Sequence, residues 1–312
     1  MRRTAGASSS IRHLLARAAL ALIRTMPYRA VMGLFRALAV LAWALLPYHR
    51  RVAAVQMRAA LGVTTPCRHT LRVFLNQAEI LVDTVRYAYM DDTAIRRKVR
   101  VDGVEHLRRA RAKGKGIMMI TGHIGNWEIL SHIPRILGID FCVMADRRND
   151  ERLEAMVDGI RSRSGATILP PTGKALALVR ELRKGRTIGM VVDGRHDGPD
   201  AHMCDVLGMA APTNPAPAFI ALKGDAVVLP VAAFRERGGY RIVFSDPVVS
   251  RDFGSDRQAA HRLSAWMQSW VSETVRQHPT EWFWLYSRWT TRPEMRRIIR
   301  RHGDLRAHVR TR

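Results

Sequence analysis

The sequence predicts an α/β fold: a mixed, mostly parallel sheet flanked by helices on both faces, with an N-terminal helical membrane anchor. Two observations carry the prediction. From about residue 100, short apolar runs alternate with segments of helical period, the pattern of a sheet covered on both sides. Before residue 60 the chain is instead apolar and basic, without that alternation. A length of 312 residues with 47% hydrophobic content is ample for one large domain and an appendage. The units expected are a basic, apolar helical anchor over 1–60, an α/β domain over 61–295 and a basic tail over 296–312.

In chain order, Arg2, Arg3, Arg12 and Arg17 precede and interrupt an apolar stretch from Leu14 to Ile23. A second stretch, Ala37–Pro47, carries no charge, but as a helix it covers only about 16 Å against about 30 Å of bilayer core. Extending it back to Ala30 makes it long enough and places Arg36 inside. A cleaved signal peptide is disfavoured, because the apolar run is interrupted and no small-x-small site follows. Residues 10–48 therefore read as a helical anchor that either lies in the interface or makes a marginal span; the competing reading is two helices packed on a soluble core.

Tyr48–Ala60, with Arg50, Arg51 and Arg58, reads as a basic amphipathic helix, and Leu71–Tyr89 has apolar residues at helical spacing. Strands are expected at Gly116–Thr121, Phe141–Ala145, Thr167–Leu169, Thr187–Asp193 and Val227–Phe234. Helices are expected between them at Asn126–Leu137, Asp150–Ser164, Gly173–Lys184 and Pro215–Lys223. Tyr240–Asp246 follows Gly238-Gly239 and reads as an antiparallel hairpin strand at the sheet edge. Gln258–Val275 is a long amphipathic helix.

The formal charge of +24 and pI near 11.4 call for an acidic partner: nucleic acid, an anionic bilayer or an acidic carrier protein. No zinc finger, RNP-like block or aromatic stacking stripe accompanies the charge, so nucleic acid is not expected. Cys67, Cys142 and Cys204 form no C-x-x-C pair and have no histidine at ligand spacing, which argues for reduced thiols and against structural zinc. No phosphate loop, G-x-G-x-x-G, G-x-S-x-G or HExxH is present, and no metal or cofactor is expected.

The candidate chemistry lies in Thr121-Gly122-His123-Ile124-Gly125-Asn126-Trp127-Glu128. A buried strand ends at Thr121, two glycines loosen the turn, and a helix begins near Asn126. Reactive groups in α/β sheets collect at the carboxyl ends of strands. From the start of the next helix Glu128 is expected to fold back and hold one imidazole nitrogen of His123, leaving the other to take a proton from a hydroxyl. That is the base-and-orienter half of a catalytic triad, with the nucleophile supplied by the substrate. The plainer alternative is a loop histidine and a solvated carboxylate.

This block resembles the H-x4-(D/E) motif of glycerolipid acyltransferases, in the G-H-(F/I)-G-N-W-E form of the bacterial lipid A late acyltransferase family. The resemblance runs from about residue 15 to residue 293. Asp193-Gly194 with Gly198-Pro199 resembles the family's D-Q-x-x-G-P block. Gly208, Thr213, Ala216 and Ala218 resemble its F-G-x-x-A-x-T-x-x-G-x-A block. Pro279, Trp282, Trp284, Arg288, Trp289, Arg292 and Pro293 resemble its closing signature. Gly194 stands where the family usually has Gln, Leu207 where it has Phe and Ala216 where it has Gly, while Tyr286-Ser287 replaces a common His-Arg pair.

The resemblance implies transfer of an acyl chain from acyl carrier protein to a hydroxyl of a lipid A precursor, or of another bacterial glycolipid such as a phosphatidylinositol mannoside. It implies His123 as general base, Glu128 as its orienter, and Arg161 or Arg163 at the developing oxyanion. Asp193, ending a strand, and Thr213 are further substrate-binding candidates. Trp282, Trp284 and Trp289 read as core packing, or alternatively as a wall of an acyl tunnel. The implied location is the inner membrane, catalytic domain facing the cytoplasm. By its charge alone, Arg296–Arg312 reads either as a solvated tail or as a surface segment on anionic headgroups.

Overall fold

The computed structural model describes residues 2–144, 151–169 and 174–310. Ala145, Asp150, Gly173 and Arg312, which end elements or stretches expected from the sequence, lie outside them.

The chain enters through α1 (Arg2–Thr25) and α2 (Tyr28–Leu45). Among the described residues α2 alone is long and apolar enough to cross a membrane; at 1.5 Å per residue it is about 27 Å long. Val31, Met32, Phe35 and Ala39 of α2 are buried, the first three packed with Val82 and Val85 of α4 (Pro66–Ala88). Its other side exposes Leu34, Leu38, Val40, Leu41 and Leu45. Arg36 is not stranded in apolar surroundings, because it pairs with the buried Glu79 of α4 at 2.8 Å.

The connecting helix α3 (Pro47–Leu61) belongs to the globular core rather than to the anchor. Proline at its first turn is pre-set for the helix, and Val52, Ala53 and Met57 are buried with the tryptophans Trp282, Trp284 and Trp289. After α4 come α5 (Asp92–Lys98), N-capped by Asp91 accepting from the Ala94 N–H, then β1 (Val99–Asp102) and α6 (Val104–Ala112).

The sheet proper follows: β2 (Ile117–Thr121), α7 (Ile133–Leu137), β3 (Phe141–Met144), α8 (Glu151–Arg161), β4 (Thr167–Leu169), α9 (Lys174–Arg183) and β5 (Thr187–Val191). A hairpin of β6 (His202–Val206) and β7 (Met209–Thr213) stands apart from it, then α10 (Ala216–Gly224), β8 (Val227–Glu236), β9 (Gly239–Phe244) and β10 (Val248–Val249) return to the sheet. Last come α11 (Ala259–Gln277), α12 (Arg292–Arg300) and α13 (Leu305–Arg310).

Among the described residues the main sheet has eight strands in the order β1-β9-β8-β2-β5-β3-β4, with β10 beside β8. Strands β8, β2, β5, β3 and β4 are parallel neighbours, while β9 and β10 run antiparallel to β8. Both faces are covered, so successive side chains enter different cores. In β2, Met118 and Ile120 face the core containing α3 and α11, while Ile117 and Met119 face the one containing Ile129 and Ile133.

The edge differs from expectation. The β8–β9 hairpin forms, but β1 adds to β9 in parallel, with Val99 opposite Tyr240, and is itself the edge. A four-residue strand with two charges, Arg100 and Asp102, has too weak a pattern to be picked out locally. The stretch from residue 296, expected as a tail, supplies Ile298, Leu305 and Val309 to the main core, and α12 opens with a capping box between Thr291 and Glu294.

Candidate active site

Strands β2 and β5 are parallel neighbours with Thr121 opposite Val191. The ladder runs one bond further, from the Val192 N–H to the Thr121 carbonyl at 2.9 Å. Two residues beyond each strand end, His123 and Asp193 therefore meet at the carboxyl edge of the sheet.

The turn carrying His123 is strapped on both sides. Gly125 N–H donates to the Glu281 carbonyl, Asn126 N–H to the Ala233 carbonyl, and Phe283 N–H to the His123 carbonyl, each at 2.9 Å. Gly125 sits at φ +57, and a Cβ there would lie 2.1 Å from the Ala233 carbonyl oxygen. Gly125→Ala is thus expected to lower the unfolding free energy by about 1–3 kcal/mol and to reduce turnover with it, as read by denaturant melting at constant m-value beside an activity assay. Behind the turn, the Asn126 amide donates to the Tyr240 hydroxyl at 3.1 Å, and that hydroxyl to the buried Asp83 at 2.6 Å. Tyr28 of α2 donates to the other Asp83 oxygen at 2.9 Å, so one hydrogen-bonded chain links α2 to the turn that carries His123.

Asp193 is buried and accepts three hydrogen bonds. Oδ1 takes the His123 Nδ1–H at 2.8 Å; Oδ2 takes the His123 backbone N–H at 2.8 Å and the Trp282 indole N–H at 2.6 Å. Burial alone would raise its pKa, but the imidazole's charge and these donors outweigh burial and hold it down to about 2. The carboxylate is therefore ionised at neutral pH, the proton stays on Nδ1, and Nε2 is the basic nitrogen. Burial pushes the imidazole pKa down, the charge and hydrogen bond of Asp193 push it up, and the net shift is upward, with a smaller upward push from Glu128.

His123 is half-buried and stands between two cavities. The smaller, about 270 Å³, is walled by Asp193, Gly194, Trp282, Phe283 and Tyr286. The larger, about 610 Å³, passes Thr121, Trp127, Glu128 and Arg161 at its polar end and then Leu130, Phe141, Val143, Gly189, Ile220 and Val231. A small aromatic-walled recess and a larger slot with an apolar floor thus meet at one imidazole.

Glu128 does not hold the imidazole. Its carboxylate forms a two-pronged pair with Arg161, at 2.6 Å to Nη2 and 3.1 Å to Nε, and makes no hydrogen bond to His123 among the described residues. The place expected for Glu128 is taken by Asp193, because the helical turn starting at Trp127 carries residue 128 toward α8 while β5 delivers Asp193 beside the ring. Of the two arginines considered, Arg161 lines the larger cavity, whereas Arg163 stacks over Tyr89 at 4.4 Å. Thr213 lines neither cavity; its hydroxyl accepts from the buried Arg288 at 2.7 Å and donates to the Ala211 carbonyl at 3.1 Å.

The tryptophan cluster does pack the core, with ring centroids 4.6–6.4 Å apart. Trp282 has a second role in anchoring Asp193, which its sequence context did not reveal. The available signal is chemical: a buried indole N–H must find an acceptor. Among the described residues no group of three His, Cys, Asp or Glu side chains is placed to hold a metal.

The model of the bacterial lipid A biosynthesis acyltransferases matches residues 7–291. The chain is 26% identical over 220 residues to the lipid A biosynthesis palmitoleoyltransferase of Escherichia coli strain K12, 68% of each chain, and 26% identical over 224 residues to the lauroyltransferase of the same strain, 69% of each. It is 24% identical over 195 residues to a phosphatidylinositol mannoside acyltransferase of Mycobacterium tuberculosis, 61% of this chain and 59% of that one. Among solved structures, the 1-acyl-sn-glycerophosphate acyltransferase of Thermotoga maritima aligns with 91% of this chain and 100% of its own, at 16% identity and a TM-score of 0.39.

Proposed function

Because the chain belongs to the bacterial lipid A biosynthesis acyltransferase family, we propose that it transfers a fatty acyl chain from an acyl carrier protein thioester to a hydroxyl of a lipid A precursor. The observation that carries this is the position of His123, held by Asp193 where a small aromatic-walled recess meets a larger slot with an apolar floor.

Nε2 takes the proton of the acceptor hydroxyl as its oxygen attacks the thioester carbonyl. The tetrahedral oxyanion then collapses, breaking the carbon–sulfur bond, and the imidazolium returns its proton to the departing thiolate. Asp193 keeps the ring in the right tautomer and offsets the imidazolium charge. Arg161, held by Glu128 at the polar end of the slot, is assigned to the oxyanion. The acyl chain lies along Leu130, Phe141 and Val143.

Gly189 limits that slot. A Cβ there would come within 2.6 Å of the Phe141 ring, so Gly189→Val intrudes on the chain's path. The variant is expected to move the preferred donor to a shorter acyl chain and to lose about 1–3 kcal/mol of stability from overpacking; rates across a panel of donor chain lengths, beside a melting curve, check both.

A second acceptor class, another glycolipid such as a phosphatidylinositol mannoside, is favoured by a specific observation. Gly194 and Tyr286, where the chain departs from residues usual in the family, both wall the smaller recess. The exposed apolar face of α2 supports placement at the bacterial inner membrane, with the catalytic domain on the cytoplasmic side where acyl carrier protein resides. The test is incubation of purified protein with labelled acyl carrier protein thioester and both acceptor classes. Label in the lipid A precursor supports the first reading, label only in the mannoside replaces the acceptor, and label in neither rejects this donor and these acceptors.

A further inference from the structure

We propose that the cleft between α3 and α12 binds the phosphate-bearing headgroup of an anionic bilayer phospholipid, separately from the acyl-transfer site. The cleft encloses about 540 Å³ and is lined by Tyr48, Arg51, Arg292, Arg296, Ile299 and Arg300. Arg292, Arg296 and Arg300 recur every fourth residue and so share one face of α12. Arg51 closes the group from α3.

Among the described residues none of these four guanidinium groups has a carboxylate partner, whereas Arg186 and Arg235 each pair with two. The nearest acid in sequence, Glu294, is turned back to the Thr291 N–H in the capping box. Arg292 and Arg296 stand over the same ring, with guanidinium carbons 5.5 and 5.4 Å from the Tyr48 centroid. Like charges four residues apart on a helix repel, and an anion seated between them relieves that repulsion. Planar guanidinium groups suit a phosphate, which accepts two parallel N–H bonds.

A lipid, rather than an acidic protein, is indicated by what adjoins the cleft. Pro47 lines it and directly follows the exposed Leu45 and Leu46, which with Leu41 continue the apolar face of α2. Trp43 lies in the last turn of α2 and Tyr48 in the first turn of α3, the kind of residue that settles at a bilayer interface. An acyl chain beside the leucines would bring its phosphate level with the arginines, and a recess suits a single headgroup better than the convex face of a protein helix.

The test is calorimetric titration of the full chain, in a nonionic detergent, with a short-chain phosphatidylglycerol, the matching phosphatidylcholine, inorganic phosphate and apo acyl carrier protein. One saturable phosphatidylglycerol site per chain is expected, weakened about 100-fold in Arg51→Gln/Arg296→Gln/Arg300→Gln. Equal charge removal at the exposed Arg108, Arg111 and Arg257 should leave it nearly unchanged. If the triple variant does not fold, Arg300→Gln alone should weaken binding about fivefold. Equal losses in the two triples would overturn the site in favour of diffuse surface charge. Equally tight, equally arginine-dependent binding of inorganic phosphate would reassign it to a free anion, and arginine-dependent binding of the carrier protein without lipid binding would reassign it to an acidic protein. No turnover enters these measurements, so they stand or fall apart from the proposed acyl transfer.

Discussion

Replacing His123 with alanine is expected to lower acyl transfer by a factor on the order of 10²–10⁴ with the fold retained. The side chain is 39% exposed, so its loss removes little packing. What it removes is the basic nitrogen between the two cavities, and among the residues walling the smaller recess no other histidine is present to replace it. Asp193 would keep the Trp282 indole and the backbone N–H of residue 123 as donors, so the carboxylate stays hydrogen-bonded. Transfer of labelled acyl chain under saturating donor, together with a melting curve, separates lost chemistry from lost structure. Turnover near that of the parent, from a folded variant, would remove His123 from the reaction.

Asp193→Asn is expected to cost on the order of 10³–10⁴ in turnover and also to move the pH profile. In the parent the base must be neutral to act, and its pKa is raised by Asp193. Activity should therefore rise with pH through a midpoint above the ordinary histidine value of about 6.5. Without the aspartate charge the upward push is lost, burial remains, and the midpoint of the residual activity should fall. Asparagine also lets the imidazole take the wrong tautomer, which is the source of the lost rate. Glu128→Gln is the control: its carboxylate sits on Arg161, so the midpoint should move in the same direction but by less. A larger displacement from Glu128→Gln than from Asp193→Asn would restore Glu128 as the orienter.

The same linkage bears on stability. The Asp193 carboxyl is held near pKa 2 in the folded chain, below the ordinary value of about 3.9. Its contribution is present above the unfolded value and is lost as the pH falls through the folded one.

Much of the sheet is legible in local sequence, because strands buried on both faces are continuous apolar runs. GIMMIT, TIGMVVD and VVLPVAAF each lie on such a strand, and α8 and α9 follow the 3.6-residue period, while the expected helix Asn126–Leu137 opens as a 3-10 turn over Trp127–His132. The edge strand β1 is short and charged and lacks that signal. The β6–β7 hairpin turns through Leu207 and Gly208, both at positive φ, and a leucine in that conformation is not a turn signature. Residues 47–60 and 296–310 are basic enough to read as anchor and tail alone. Their apolar residues are spaced to reach the same core from two distant parts of the chain.

The His123–Glu128 block, the family and the strand-end position of His123 follow from the order of residues alone. A strand ending in a glycine turn places its histidine at the sheet's carboxyl edge wherever that strand lies. Which acid reaches the ring depends on which strand lies beside it. The partner β5 is seventy residues away, and its register, Val191 opposite Thr121, is set by the packing of two cores on the two faces of the sheet. Strand adjacency and burial therefore assigned Asp193 and Trp282 to His123, turned Glu128 toward Arg161, and carried Arg163 and Thr213 away from the cavities. Those are long-range contacts, and spacing along one chain does not encode them one residue at a time.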